Sequence, residues 1–114
     1  MAIIISIEGT SMTLASGAKT IFRFPIGNAI EFGDVIVVRL QIPRGTIFNE
    51  NVYGVGADGN IIWQIQQEYP STWDGAWGGL ENIDGKAVLS NSESQIRHVD
   101  PKTGIITQRG MSVR

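Results

Sequence analysis

The chain has no cysteine. That absence removes disulfides, thiolate zinc sites and cysteine nucleophiles together, and it fits a reducing compartment. Histidine is nearly absent as well: His98 stands alone. A Ser-His-Asp triad would have to use it, and its nearest acid, Asp100, lies two residues away on the same extended segment; no G-x-S-x-G elbow accompanies any serine. Charge of one sign is also lacking. Nine basic and eleven acidic residues give a net charge of −2 and are scattered, without the clustered Lys and Arg of a nucleic-acid-binding face. No apolar run approaches the ~20 residues that span a bilayer. The opening "MAIIISIEG" lacks the basic region and long apolar core of a signal peptide, because Glu8 interrupts it. A cytoplasmic location is expected, with no membrane and no nucleic acid as partner.

Present instead are β-branched residues in period-two runs, with fourteen glycines falling mostly between them. At 114 residues the chain is expected to form a single all-β domain over 1–114, large enough to fold without a metal or disulfide. "IIISI" and "TSMTL" flank Glu8-Gly9 as an opening hairpin, and "TIFRF" (20–24) alternates Ile21 and Arg23 against Phe22 and Phe24 until Pro25 ends it. "NAIEF", Gly33-Asp34 and "VIVVRLQI" predict a second hairpin, in which unbroken "VIVV" marks a central strand covered on both faces. After the loop "PRGTIFNEN" come "VYGVGA" and "NIIWQIQ", then the loop "PSTWDGAWGG", "LENI", Asp84-Gly85, "KAVLS", "QIRHVD", "PKTG" and "IITQR". No segment combines a 3.6-residue period with a helix cap. The expectation is about nine to ten short antiparallel strands in meanders, forming a sandwich or partly closed barrel. The alternative is two propeller-blade-like sheets completed by oligomerisation.

Gly54, Gly56 and Gly59 form a literal G-x-G-x-x-G. A dinucleotide site needs a helix after those glycines, because helix amides hold the pyrophosphate. Here Asn60 to Gln66 alternate as a strand, with Ile61, Trp63 and Ile65 on one face. Asp58-Gly59 is therefore expected as a two-residue type I′ turn, and no cofactor is expected. A shift of 44 residues aligns Val52 with Ile96, Val55 with Val99, Ile61 with Ile105, Ile62 with Ile106 and Gln64 with Gln108. It predicts that Val55 pairs with Ile62 and Val99 with Ile106. "EFGDVIVVRL" and "NIDGKAVLSN" also match, at a different shift, so a duplicated meander is one reading and chance likeness of hairpins the other.

"QIRHVDPKTGIITQR" resembles the outer hairpin of a quinoprotein-type β-propeller blade, and the pattern "FNENVYGVGADGNIIWQI" followed by "VDPKTG" resembles a family of small uncharacterised bacterial all-β proteins. That family carries no assigned activity, so the resemblance implies no functional residues.

Three sets of side chains are weighed for chemistry. Glu31 with Asp34, Glu81 with Asp84, and Glu50 with Glu68 are conceivable carboxylate pairs, each more simply a hairpin flank. No acidic cluster has calcium or zinc spacing. The remaining candidate is a surface: Trp73, Asp74 and Trp77 in a glycine-rich loop, joined by Arg44 and Phe48 from the loop 43–51. Aromatic anchors of this kind dominate interfaces, while the plainer reading has Trp77 start the next strand and pack inward, with Trp73 over a sheet end. The function expected is a non-catalytic interaction domain of the inhibitor or immunity type, not an enzyme, with an unknown protein partner and with homo-oligomers left open. The alternatives are a carbohydrate-binding module using Trp73 and Trp77, and a hydrolase of unknown class.

Overall fold

The computed structural model describes residues 1–70 and 72–111. Among them, eleven antiparallel strands form three sheets, and no sheet closes into a barrel. The first sheet comprises β1 (Ile4–Glu8), β2 (Ser11–Leu14) and β3 (Lys19–Ile21). The middle sheet holds β4 (Ile26–Phe32), β5 (Val35–Leu40), β6 (Val52–Gly56) and β7 (Ile61–Gln64). The last holds β8 (Trp77–Ile83), β9 (Lys86–Asn91), β10 (Gln95–Val99) and β11 (Ile106–Met111). Each is an antiparallel meander in chain order, as expected, with eleven strands where nine to ten were expected. Three sheets are also fewer than the four blades a propeller ring requires.

Strand β5 explains the layering. All six of its residues are buried. Ile36, Val38 and Leu40 join Met12, Leu14 and Phe22 in one apolar cluster. Val37 joins Trp63, Ile65, Trp77, Leu89 and Val99 in a second. Alternate residues of a strand point to opposite faces, so the middle sheet has the first sheet's residues on one side and the last sheet's on the other. The run "VIVV" is apolar throughout because both its faces are covered.

The turns follow backbone chemistry. Asp84 and Gly85 both have positive φ, at 51° and 80°, the pairing a type I′ hairpin needs. Asp58-Gly59 does not form that turn. Only Gly59 has positive φ, at 83°; Gly59 N–H donates to the Gly56 carbonyl (3.0 Å) and Gly56 N–H to the Asn60 carbonyl (2.9 Å). The connection is thus a three-residue loop, Ala57-Asp58-Gly59, with glycine in the left-handed position. Asp58 steadies it by accepting from Asn60 N–H through its own carboxylate (3.0 Å).

The middle and last sheets repeat one another in register. A shift of 51 carries the pairs Ile26–Leu40, Asn28–Arg39 and Ala29–Val38 onto Trp77–Asn91, Gly79–Ser90 and Leu80–Leu89, with a bulge at the same place in each. A shift of 44 carries Ile36–Val55 and Val38–Tyr53, through the same β5 offset, onto Ala87–Val99 and Leu89–Arg97. The outer hairpins repeat too, again with a shared bulge, but Val55 pairs with Ile61 and not Ile62, while Val99 pairs with Ile106. The counterpart of Ile61 is therefore Ile106, because the turn through Pro101 to Gly104 is one residue longer. Bulging at Ile62 also resets the alternation: Trp63 and Ile65 are buried, whereas Ile61 is exposed. Two bulges at matched positions are more than chance likeness of hairpins would give, and they establish an internal repeat.

Candidate functional site

Two long connections meet at one end of the middle sheet: residues 41–51, between β5 and β6, and residues 65–76, between β7 and β8. Among the described residues neither has a strand of its own, so their backbone groups need other partners. Two asparagines supply them. Asn49 donates to the carbonyls of Pro70 (3.3 Å) and Trp73 (2.6 Å) and accepts from Gly75 N–H (2.8 Å). Fully buried Asn51 donates to the carbonyls of Leu40 (2.9 Å) and Trp77 (2.8 Å) and accepts from Trp77 N–H (2.9 Å). An amide can be buried only when its donors and acceptor are all engaged. Both asparagines meet that condition.

An ion pair fastens the same connection from the other side. Glu68 accepts from Arg97 Nε (2.7 Å) and from Arg109 Nε and Nη2 (2.9 and 3.0 Å). Arg97 also donates to the Tyr69 hydroxyl (3.3 Å) and lies 5.8 Å from the Trp77 ring centre. The Arg109 hydrogen bond, helped by Arg97 and opposed by burial, holds the Glu68 carboxyl below the usual carboxylate range.

Between residues 41–46 and 74–78 the surface opens into a cleft of about 170 Å³, lined by Arg39, Gln41, Arg44, Thr46, Asp74 and Trp77 among others. Arg39 is its most unusual member. It is the one charge on buried β5, and only 8% of it is exposed. Its Nε donates to the Asn28 side-chain oxygen (2.7 Å) and its Nη1 to that of Gln41 (3.3 Å). No carboxylate lies within ion-pair distance of it among the described residues. Burial pulls its pKa down, yet a guanidinium stays charged in proteins. The guanidinium rests on Gly27, in the β4 bulge, where a side-chain carbon would collide with it. Gly78, at the matching bulge of β8, lines the facing wall.

A family model for a domain of unknown function, DUF7957, matches residues 3–111. The chain belongs to the DUF7957 family. No curated protein and no solved structure matches it.

Within this DUF7957 domain, the five residues chosen from sequence separate into two groups. Arg44, Asp74 and Trp77 come together around the cleft. Trp73 stands apart, edge-on to Tyr69 with ring centres 4.5 Å apart, and Phe48 packs on Phe24 at 5.4 Å with Arg23 over both rings. Trp77 is only 2% exposed against 38% for Trp73, so the two indoles do not offer paired open faces to a sugar ring. Ser71 of the same loop lies outside the described residues. Sequence reasoning pointed to the loop 43–51 that holds Asn51 but missed Arg39, Asn49 and Glu68 as parts of this region. The one local signal was an arginine following "VIVV".

Elsewhere the expected chemistry disperses. His98 on β10 lies across from Val88 and Gln108 in its sheet. Asp100 caps its own turn by accepting from Lys102 N–H (2.9 Å). Glu31 accepts from Ile4 N–H (2.7 Å), and Asp34 pairs with the N-terminal ammonium (2.9 Å). Glu68 is committed to its arginines. Among the described residues no group of three or more His, Cys, Asp or Glu is placed to hold a metal, and no helix is long and apolar enough to cross a membrane. The G-x-G-x-x-G is a hairpin: strand β7 follows Gly59, and Gly54 is glycine because a side chain there would strike the Trp63 indole.

Proposed function

We propose that this domain is a non-catalytic protein-interaction module, binding through the sheet end where residues 41–51 and 65–76 meet. The observation that carries the reading is the way an irregular 12-residue connection is held: Asn49, Asn51 and the Glu68–Arg97 pair fix it at several points, and Trp73 is left on its surface. Side chains held before binding lose little entropy on binding, which favours a recognition surface over a mobile lid. An aromatic anchor and, apart from it, a cleft of mixed charge supply what a protein partner needs for burial and for register. A partner of the inhibitor or immunity type suits a rigid surface of this kind.

Cross-linked affinity capture from native lysate, with identification by mass spectrometry, tests this directly. A stoichiometric partner should be retained by the unaltered domain and by Lys19→Ala in the first sheet, and lost with Trp73→Ala. Equal retention by Trp73→Ala, or no stoichiometric partner at all, would contradict it.

A further inference from the structure

We infer that the cleft bounded by Arg39, Arg44, Thr46 and Asp74 binds a carboxylate group, received by the fork of Arg39. A buried guanidinium loses its hydration at a large cost unless it is paired, which is why buried charges are paired. Arg97 obeys that rule through Glu68. Arg39 is as deeply buried and meets only two neutral amide oxygens, so its Nη2 has no protein partner among the described residues. The internal repeat shows that the charge is not needed to build the bulge: the position matching Arg39 in the last sheet is Ser90, and the space over Gly78, which matches Gly27, is open. What the arginine adds is a flat set of donors on the wall of a cleft.

The other residues narrow the anion. Arg44, exposed on the loop above, adds a second cation, and Thr46 a hydroxyl. Asp74 lines the same space, so the cleft carries one net positive charge from these three ionised groups, which a monoanion neutralises and a dianion such as phosphate overcompensates. A planar carboxylate also matches the guanidinium fork, taking two parallel hydrogen bonds. The volume of about 170 Å³ is below the ~300 Å³ at which drug-sized ligand pockets begin. It suits a small free carboxylate or the end of an aspartate or glutamate side chain. The side-chain source rests on the interaction reading above; the carboxylate chemistry does not.

The test is a titration of the ¹⁵N-labelled full chain with sodium acetate, with capped N-acetyl-aspartate N-methylamide, with phosphate, and with sodium chloride at matched ionic strength. The Arg39 Nε–H and Trp77 indole N–H signals are followed. Acetate should give saturable shifts that chloride does not. Affinity should fall about tenfold or more with Arg39→Met, which removes charge-assisted hydrogen bonds, and about threefold with Arg44→Gln at an exposed position that leaves folding intact. Binding of both carboxylates supports an acidic side chain as the source; binding of acetate alone supports a free small carboxylate. Shifts no larger than with chloride, tighter binding of phosphate, or unchanged affinity in both variants would overturn the inference. The two readings fail separately: without a carboxylate response, Trp73-dependent capture would still stand, and a response without any captured protein would remove only the interaction reading.

Discussion

Arg39 and Arg97 are buried to nearly the same degree, 8% and 7% exposed, on neighbouring sheets of one repeat architecture. Their partners differ. Arg97 has a carboxylate at 2.7 Å, a phenol hydroxyl and an indole beside it, and it ties residues 65–76 to the last sheet. Arg39 has two amide oxygens and an open cleft. Charge neutralised inside the protein reads as structure, and charge left for something outside reads as a binding site. Burial alone would have ranked the two residues together.

The largest effect should come from removing the carboxylate of the internally balanced pair. Glu68→Gln leaves Arg97 buried without its counter-charge and is expected to cost about 3–4 kcal/mol in denaturant unfolding. A loss below 1 kcal/mol would mean that Arg97 is no better paired than Arg39. Next comes the neutral fastening of the same loop. Asn51→Ala abandons the buried Trp77 N–H and carbonyl and should cost about 2–3 kcal/mol; if the loop depended on charge alone, the variant would be near wild-type.

The comparison has a pH signature. The folded Glu68 carboxyl titrates below its ordinary value of 4.5. Its stabilisation is therefore complete above the unfolded value and is lost as pH falls from there through the folded one. Unfolding followed from pH 7 down to pH 2 should show stability falling below about pH 4.5, with the slope reduced in Glu68→Gln. An equal slope in that variant would assign the acid sensitivity elsewhere. The smallest effect belongs to the unpaired arginine. Arg39→Met should change stability by less than about 1 kcal/mol or raise it, because methionine fills the stem volume and needs no counter-ion.

Much of this fold is legible in local sequence. Period-two runs and Gly-Asp or Asp-Gly pairs placed the hairpins, and "VIVV" identified the strand with cover on both faces. The start of β8 was half legible: Trp77 begins the strand and packs inward as the plainer reading has it, but Gly78-Gly79 reads as loop; those glycines belong to a bulge, visible only once β4 shows the same bulge at Gly27. Asp58-Gly59 misled because the dipeptide signals a reversal without fixing how many residues make it. The cleft was half legible. Arg44, Asp74 and Trp77 stood out as charged and aromatic loop residues, whereas Asn49, Asn51 and Glu68 act on partners 11 to 41 residues away. Separations of that size leave no periodic trace in a single chain. Arg39 was visible as a charge in an apolar strand, but its lack of a counter-ion is a property of the assembled layers.

The most direct measurement is a paired one: denaturant unfolding at pH 7 of Arg39→Met and Arg97→Met, in chloride buffer without added carboxylate. Arg97→Met should lose about 3 kcal/mol, since it breaks the buried pair and the Tyr69 contact and leaves Glu68 only the exposed Arg109, while Arg39→Met should match or exceed the unaltered protein. Equal losses in the two variants would mean that Arg39 is held as firmly from within as Arg97, and would leave no charge in the cleft for an outside partner to meet.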